Sequence, residues 1–240
     1  MQLAKLNLEE ILFIDIETVP LYQSFKELDA TGQPLWLKKA EQRYPDLPGS
    51  DAYDQKAGIH AEFSQVLIVG CGFFHTTEGQ QLFRVKSFHN TSEKELLAEF
   101  IQLIDHTKRK KFRVLCAHNG KEFDFPFLCR RMLINGLTIP PVLDLAGKKP
   151  WEVMHLDTLE LWKFGDRKHY TSLELMAYAL GVSTEKSTFN GSMVNQVYKE
   201  SGLTSKLLDY CLNDVVLLAQ VFLKLRNEPL LSDNQIIRTP

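Results

Sequence analysis

The sequence predicts an α/β fold: a mixed β-sheet flanked by helices, built as one domain. Three observations predict it. Apolar, β-branched runs recur at 11–16 (ILFIDI), 66–74 (VLIVGCGFF) and 112–117 (FRVLCA), the pattern of buried strands. Segments of helical period separate the later strands. The order is strand, excursion, two strands, helix, strand, helix, strand, then helices. That order implies an antiparallel meander of the first three strands, with parallel strands added through helical crossovers. At 240 residues and 44% hydrophobic content the chain builds one sizeable core with an insertion, and hardly two domains.

The elements follow in order. The first strand, 11–16, leads into a stretch from about 20 to 62 that holds Pro20, Pro34, Pro45 and Pro48. Its aromatics and charges keep no clean period, so it reads as an irregular, partly helical insertion. Strands at 66–74 and 82–88 flank a turn at Glu78-Gly79. Ser92 and Glu95 form a capping-box pair. Behind them Leu96, Leu97, Phe100, Ile101 and Ile104 fall on one helical face. The strand at 112–117 precedes a helix over 122–135 that stops near Gly136, and 152–157 reads as a short strand. Thr171 and Glu174 suggest a second capping box, with Gly181 as the stop. Helices are expected at 191–201 and 204–225, and the tail 226–240 is expected to be loose.

The bulk numbers exclude more than they suggest. No window approaches the roughly 18 uncharged apolar residues of a membrane span, and the N-terminus lacks the pattern of a secretory signal. Cys71, Cys116, Cys129 and Cys211 show no paired spacing, which argues against a disulfide framework and a zinc site. A reducing, cytoplasmic location is expected. The net charge of −2 gives no global attraction to nucleic acid.

Chemistry enters with four acidic residues. Asp15 and Glu17 are two apart on the first strand and so share a face. Two carboxylates there repel one another unless a cation intervenes, and hard divalent ions such as Mg²⁺ or Mn²⁺ suit them. Alone, such a pair is more often a solvent-facing strand end. Asp124 falls in the first turn of its helix, after the turn formers Asn119 and Gly120, where by itself it compensates the helix dipole. Phe123, Phe125 and Phe127 read as packing residues, one of which, Phe123 beside the strand end, is a candidate to stack on a base. Tyr210 and Asp214 are four apart and share a helix face.

Together these segments are far more specific than apart. Asp-x-Glu in DIET, Asn-x₃-Phe-Asp-x-Pro-x-Leu from Asn119, and Tyr-x₃-Asp from Tyr210 resemble the three motifs of the DEDD superfamily of 3′→5′ exonucleases, in its tyrosine branch. HLDTLELW and SLELMAYALGV resemble segments of the stand-alone group related to the proofreading domain of family B DNA polymerases. The resemblance runs from about 11 to 225 and is weakest over 20–62.

It implies an RNase H-like fold and a metal-dependent nuclease that removes nucleotides from a 3′ end. Asp15, Glu17, Asp124 and Asp214 would hold two Mg²⁺ or Mn²⁺ ions about 3.5–4 Å apart, and Tyr210 would position the attacking water. Thr18 would contact the terminal nucleotide, and Asn119 would lie near the substrate strand. Single-stranded DNA is the expected substrate, with an exoribonuclease and a catalytically silent binding module as alternatives.

Other features weigh less. Lys108–Lys111 reads as a solvated connector. Lys148, Lys149, Lys163, Arg167 and Lys168 are candidates to flank the strand-binding groove. His118 reads as structural. Asp157 reads as a helix cap rather than a second layer behind the site.

Overall fold

The protein is described by a computed structural model that covers residues 3–105, 112–166, 170–183, 189 and 191–239. Strand β1 (Ile11–Pro20) pairs antiparallel with β2 (Ser64–Thr77), which pairs antiparallel with β3 (Gln80–Phe88). The β2–β3 turn places Glu78 and Gly79 at φ 51° and 78°, as a two-residue hairpin requires. Strand β4 (Val114–Ala117) lies parallel to β1, and β5 (Leu156–Asp157) parallel to β4. A sixth strand, β6 (Ile236–Thr239), lies parallel to β3, so the sheet order is β5-β4-β1-β2-β3-β6.

Helices cover both faces because β1 is apolar on both. Leu12, Ile14 and Ile16 pack against α3 (Glu93–Ile104) and α4 (Asp124–Ile134) through Leu96, Leu97, Phe100, Phe125 and Leu128. Ile11 and Phe13 face α8 (Ser205–Leu225) through Val215, Leu218, Ala219 and Phe222. Phe13 sits at the centre of that layer, edge-on to Phe74, Phe83 and Phe222 at 5.4–5.7 Å, an arrangement that adds aromatic quadrupole attraction to burial. Between β5 and α8 lie α5 (Thr158–Lys163), α6 (Leu173–Ala179) and α7 (Gly191–Ser201).

The insertion is more ordered than its sequence suggests. It holds α1 (Gly32–Arg43) and α2 (Gly49–Lys56) around its own core of Leu28, Trp36, Ala40, Ala52, Tyr53 and Ala57. Trp36 is fully buried; its Nε1 donates to the Gly49 carbonyl at 2.8 Å and its ring meets Tyr53 and Phe63 at 5.2 and 5.1 Å. Aromatics from separate turns anchor one another, so no single helix needs a regular apolar stripe.

The expected loose tail is corrected too. Gln220 exchanges two hydrogen bonds with the Leu231 backbone, at 2.8 and 2.9 Å. The Arg226 guanidinium donates to the Leu3 and Leu6 carbonyls at 2.8 and 2.9 Å. These contacts fold the chain back so that β6 can pair. The strand expected over 152–157 shortens to Leu156–Asp157, preceded by a 3₁₀ turn at Pro150–Glu152. The cap of α6 is Ser172, whose hydroxyl accepts from the Leu175 N–H, rather than Thr171. The Thr171 carbonyl instead pairs with His118.

One buried ion pair joins the insertion to the rest. Arg131 on α4, 3% exposed, pairs with Glu93 at the start of α3 and donates to the Ala61 carbonyl at 2.8 Å. Glu93 also accepts from the Val66 N–H at 2.7 Å and from Asn135 at 2.8 Å. Removing one partner strands a buried charge. Arg131→Met is therefore expected to destabilise the protein by about 3–5 kcal/mol in urea unfolding, whereas breaking the exposed Lys39–Glu62 pair should cost about 1 kcal/mol or less.

Candidate active site

The site forms where the α8 face of β1 changes from apolar to acidic. Ile11 and Phe13 are followed on that face by Asp15 and Glu17. The sequence suggested that β1 ends at this pair; it continues to Pro20, with a register shift between Glu17 and Thr18. Pairing with β2 therefore holds both carboxylates in mid-strand.

α8 lies close to them because β2 carries glycine opposite Asp15. Gly70 is the partner of Asp15 in the ladder. A Cβ on Gly70 would sit 2.7 Å from Cys211 Sγ and 3.3 Å from the Cys211 carbonyl oxygen. With that space clear, Cys211 reaches the Asp15 carboxylate at 3.8 Å, its thiol donating. Ligand atoms of Asp15, Glu17 and Cys211 all fall within 4.8 Å of one another. One turn along α8, Asp214 comes within hydrogen-bonding reach of the Tyr210 hydroxyl.

Asp124 arrives from the opposite side, in the first turn of α4. The turn that launches it is held by Asp157, which is buried. Asp157 Oδ1 accepts from the Asn119, Leu159 and Glu160 N–H groups, and Oδ2 from the Lys121 N–H, at 2.9–3.4 Å. Asp157 is thus the N-cap of α5, as expected, and also the clamp on the β4–α4 turn, where Asn119 takes φ 60°. Nothing in its sequence context pointed to that second duty.

Burial and neighbouring charge raise all four carboxylates. Glu17 and Asp124 are buried, and no Lys or Arg pairs with any of the four among the described residues. Desolvation, then the charges of Glu17, Asp124 and Asp214, raise Asp15 well above the usual carboxylate range. Desolvation and the charges of Asp214 and Asp124 do the same to Glu17. Desolvation lifts Asp124 to about 7 against the pull of backbone hydrogen bonds, and Asp214 to about 6 against that of Tyr210. Tyr210 is pushed upward by desolvation and by Asp214, so its phenol stays neutral. Hard carboxylate donors crowded together without a counter-charge fit divalent cations.

The remaining candidates are placed as follows. Thr18 adjoins the site, but its hydroxyl donates to the Gly58 carbonyl at 2.7 Å, tying β1 to the insertion. Phe123 packs toward the α3–α4 core, 5.3 Å from Phe127. His118 is structural: Nδ1 lies 2.9 Å from the Thr158 hydroxyl and Nε2 2.8 Å from the Thr171 carbonyl. Lys148 lines a separate apolar cleft of about 670 Å³ with Phe125, Cys129 and Leu133. Lys149 leans over the Trp151 ring, and Lys163 ends α5. Arg167, Lys168 and the Lys108–Lys111 run lie outside the described residues.

Two outcomes are expected. Raised carboxylates bind more protons folded than unfolded, so their contribution to stability falls as pH climbs through the folded pKa. His60 and His155, lowered to about 4 by burial, act in the opposite sense, but below about pH 6.5. Between pH 6.5 and 8.5 in chelator, the melting temperature should therefore drop by about 2–4 °C, and Asp124→Asn should flatten the drop. Gly70→Ala should cost about 1–3 kcal/mol by overpacking α8, read by urea unfolding, whereas alanine at the half-buried Ser87 across the ladder, which adds no atoms, should cost about 0.5 kcal/mol.

A search of curated proteins finds no match. Among solved structures the chain is similar to the family B DNA polymerase from the hyperthermophilic archaeon Pyrobaculum calidifontis, with a TM-score of 0.52 and 15% identity. The match covers 87% of this chain and only 23% of the polymerase, so the likeness is one of fold, RNase H-like as in a polymerase exonuclease region. Residues 59–231 match a family model described as a predicted 3′-5′ exonuclease related to the exonuclease domain of PolB, and the chain belongs to that family.

Proposed function

We propose that the protein is a divalent-metal-dependent 3′→5′ exonuclease that acts on single-stranded DNA. One observation carries this reading: Asp15, Glu17, Asp124 and Asp214 meet, without a counter-charge among the described residues, beside a neutral Tyr210, in a chain of this family. The preference for DNA rests on the relation to a DNA polymerase.

Asp15, Glu17, Asp124 and Asp214 would hold two Mg²⁺ or Mn²⁺ ions. When bound, such ions supply charge to the phosphodiester and make water nucleophilic near neutral pH. The protein's own share is positioning. β1 fixes Asp15 and Glu17 through their ladder pairing with β2, while β4 pairs with β1 just upstream at Ile11–Phe13. The Asp157 clamp fixes the approach of Asp124. Tyr210 stays protonated and donates its O–H hydrogen bond to Asp214, which leaves a lone pair on the phenol oxygen to accept a hydrogen bond from the attacking water. Tyr210 therefore orients the nucleophile and takes no proton from it.

Degradation of 5′-labelled single-stranded DNA and its RNA equivalent, with Mg²⁺ or Mn²⁺, tests the proposal. A stepwise ladder of 5′-labelled products is expected, preferring DNA and lost with chelator. Asp15→Ala should reduce the rate by more than about 100-fold, beyond what an outer-sphere partner alone costs. Tyr210→Phe should reduce kcat by about 100-fold. A faster ladder on RNA would move the substrate to that class. No cleavage of either strand with any cation would leave a binding module of the same fold.

A further inference from the structure

Within reach of the Asp124 charge, and outside the motif residues, stands Tyr170. It is 69% exposed, and a ring contact orients it. Its ring meets the His118 imidazole edge-on, with centroids 6.5 Å apart and planes at 74°. His118 is itself fixed by Thr158 and the Thr171 carbonyl, at 2.9 and 2.8 Å. If Nε2 donates to that carbonyl, Nδ1 accepts from the Thr158 hydroxyl, and one neutral tautomer satisfies both contacts. Burial, the largest influence on His118, favours the neutral form.

The same block carries Asp124. Thr158 opens α5, and the α5 cap, Asp157, also grips the Asn119–Lys121 turn that precedes Asp124. Tyr170 and Asp124 thus stand on one hydrogen-bonded platform. The Asp124 and Asp157 charges reach the Tyr170 phenol and, after partial burial, help to raise it. The ring therefore stands on the Asp124 side of the acidic cluster, within reach of that carboxylate's charge and open to solvent.

We propose that Tyr170 is a substrate-contacting residue: its ring is the stacking face for one nucleobase of the strand bound across the carboxylates. This rests on the nuclease reading above. Every base has a π-face, so stacking grips a strand whatever its sequence, which suits an enzyme that removes nucleotides in succession. A ring already oriented by His118 loses little conformational freedom on binding. Its neutral phenol brings no negative charge toward the phosphates.

The test is steady-state kinetics on single-stranded DNA carrying either natural bases or one abasic residue at each of the last few positions from the 3′ end. Wild type, Tyr170→Ala and Tyr170→Phe are compared, with melting curves as a check on folding. Tyr170→Ala should raise KM roughly tenfold with kcat within about threefold, and the phenylalanine variant should recover most of that loss. One abasic position should cost the wild type a similar factor and add little to the alanine variant, the signature of a contacting pair. Unchanged KM in Tyr170→Ala overturns the proposal. So does a phenylalanine variant as defective as the alanine one, which would assign the effect to the hydroxyl. So do abasic penalties equal in wild type and Tyr170→Ala. A wild type that degrades the strands while Tyr170→Ala matches it defeats this inference alone; a wild type that degrades nothing defeats the nuclease reading as well.

Discussion

The close approach of α8 to β1, across the glycine at position 70 of β2, is the constraint on which the site depends. It places Cys211, Asp214 and Tyr210 over Asp15 and Glu17. The cost is electrostatic: like charges share a poorly solvated space, and those of Asp124 and Asp214 raise both Asp15 and Glu17. Apolar layers on both faces of β1, from Leu12 and Ile14 on one side and Ile11 and Phe13 on the other, hold the backbone in place against that repulsion. Strain kept at a site by an over-determined scaffold is the usual price of preorganisation.

Two polar anchors extend this control to the walls. Asp157 uses one carboxylate to satisfy four backbone N–H groups and so joins the β4–α4 turn to α5. The Glu93–Arg131 pair joins α3, α4 and the return of the insertion at Ala61. The insertion meets β1 through the Thr18–Gly58 bond and meets α7 through Asn195, which donates to the Asp54 carbonyl at 3.3 Å. The end of β1 beyond Glu17 is thereby enclosed by contacts remote in sequence.

Those remote contacts mark what the sequence conveyed and what it did not. The meander and its parallel additions were legible because strand runs and helical periods are local signals. Asp15, Glu17, Asp124, Tyr210 and Asp214 were singled out by the family resemblance of three motifs taken together, since each spacing alone is common, and the structure places them near one another. The insertion read only as partly helical, without helix bounds, because Trp36, Tyr53 and Phe63 stabilise one another rather than repeating along one face. The β6 pairing escaped because Gln220 and Arg226 staple the chain through backbone contacts that no periodicity encodes. Gly70, Cys211, Asp157 and Tyr170 owe their places to what lies across the fold from them; GCG within an apolar strand run was the one available hint of a close backbone approach.

The central claim is that the four carboxylates form a cation site. It is tested most directly by calorimetric titration of Mn²⁺ into the wild type and into a variant with Asp15→Asn, Glu17→Gln, Asp124→Asn and Asp214→Asn together, which removes the repulsion and should remain folded. Saturable binding is predicted in the wild type and none in the variant. Equal binding by the two proteins, or none in the wild type, would contradict the account.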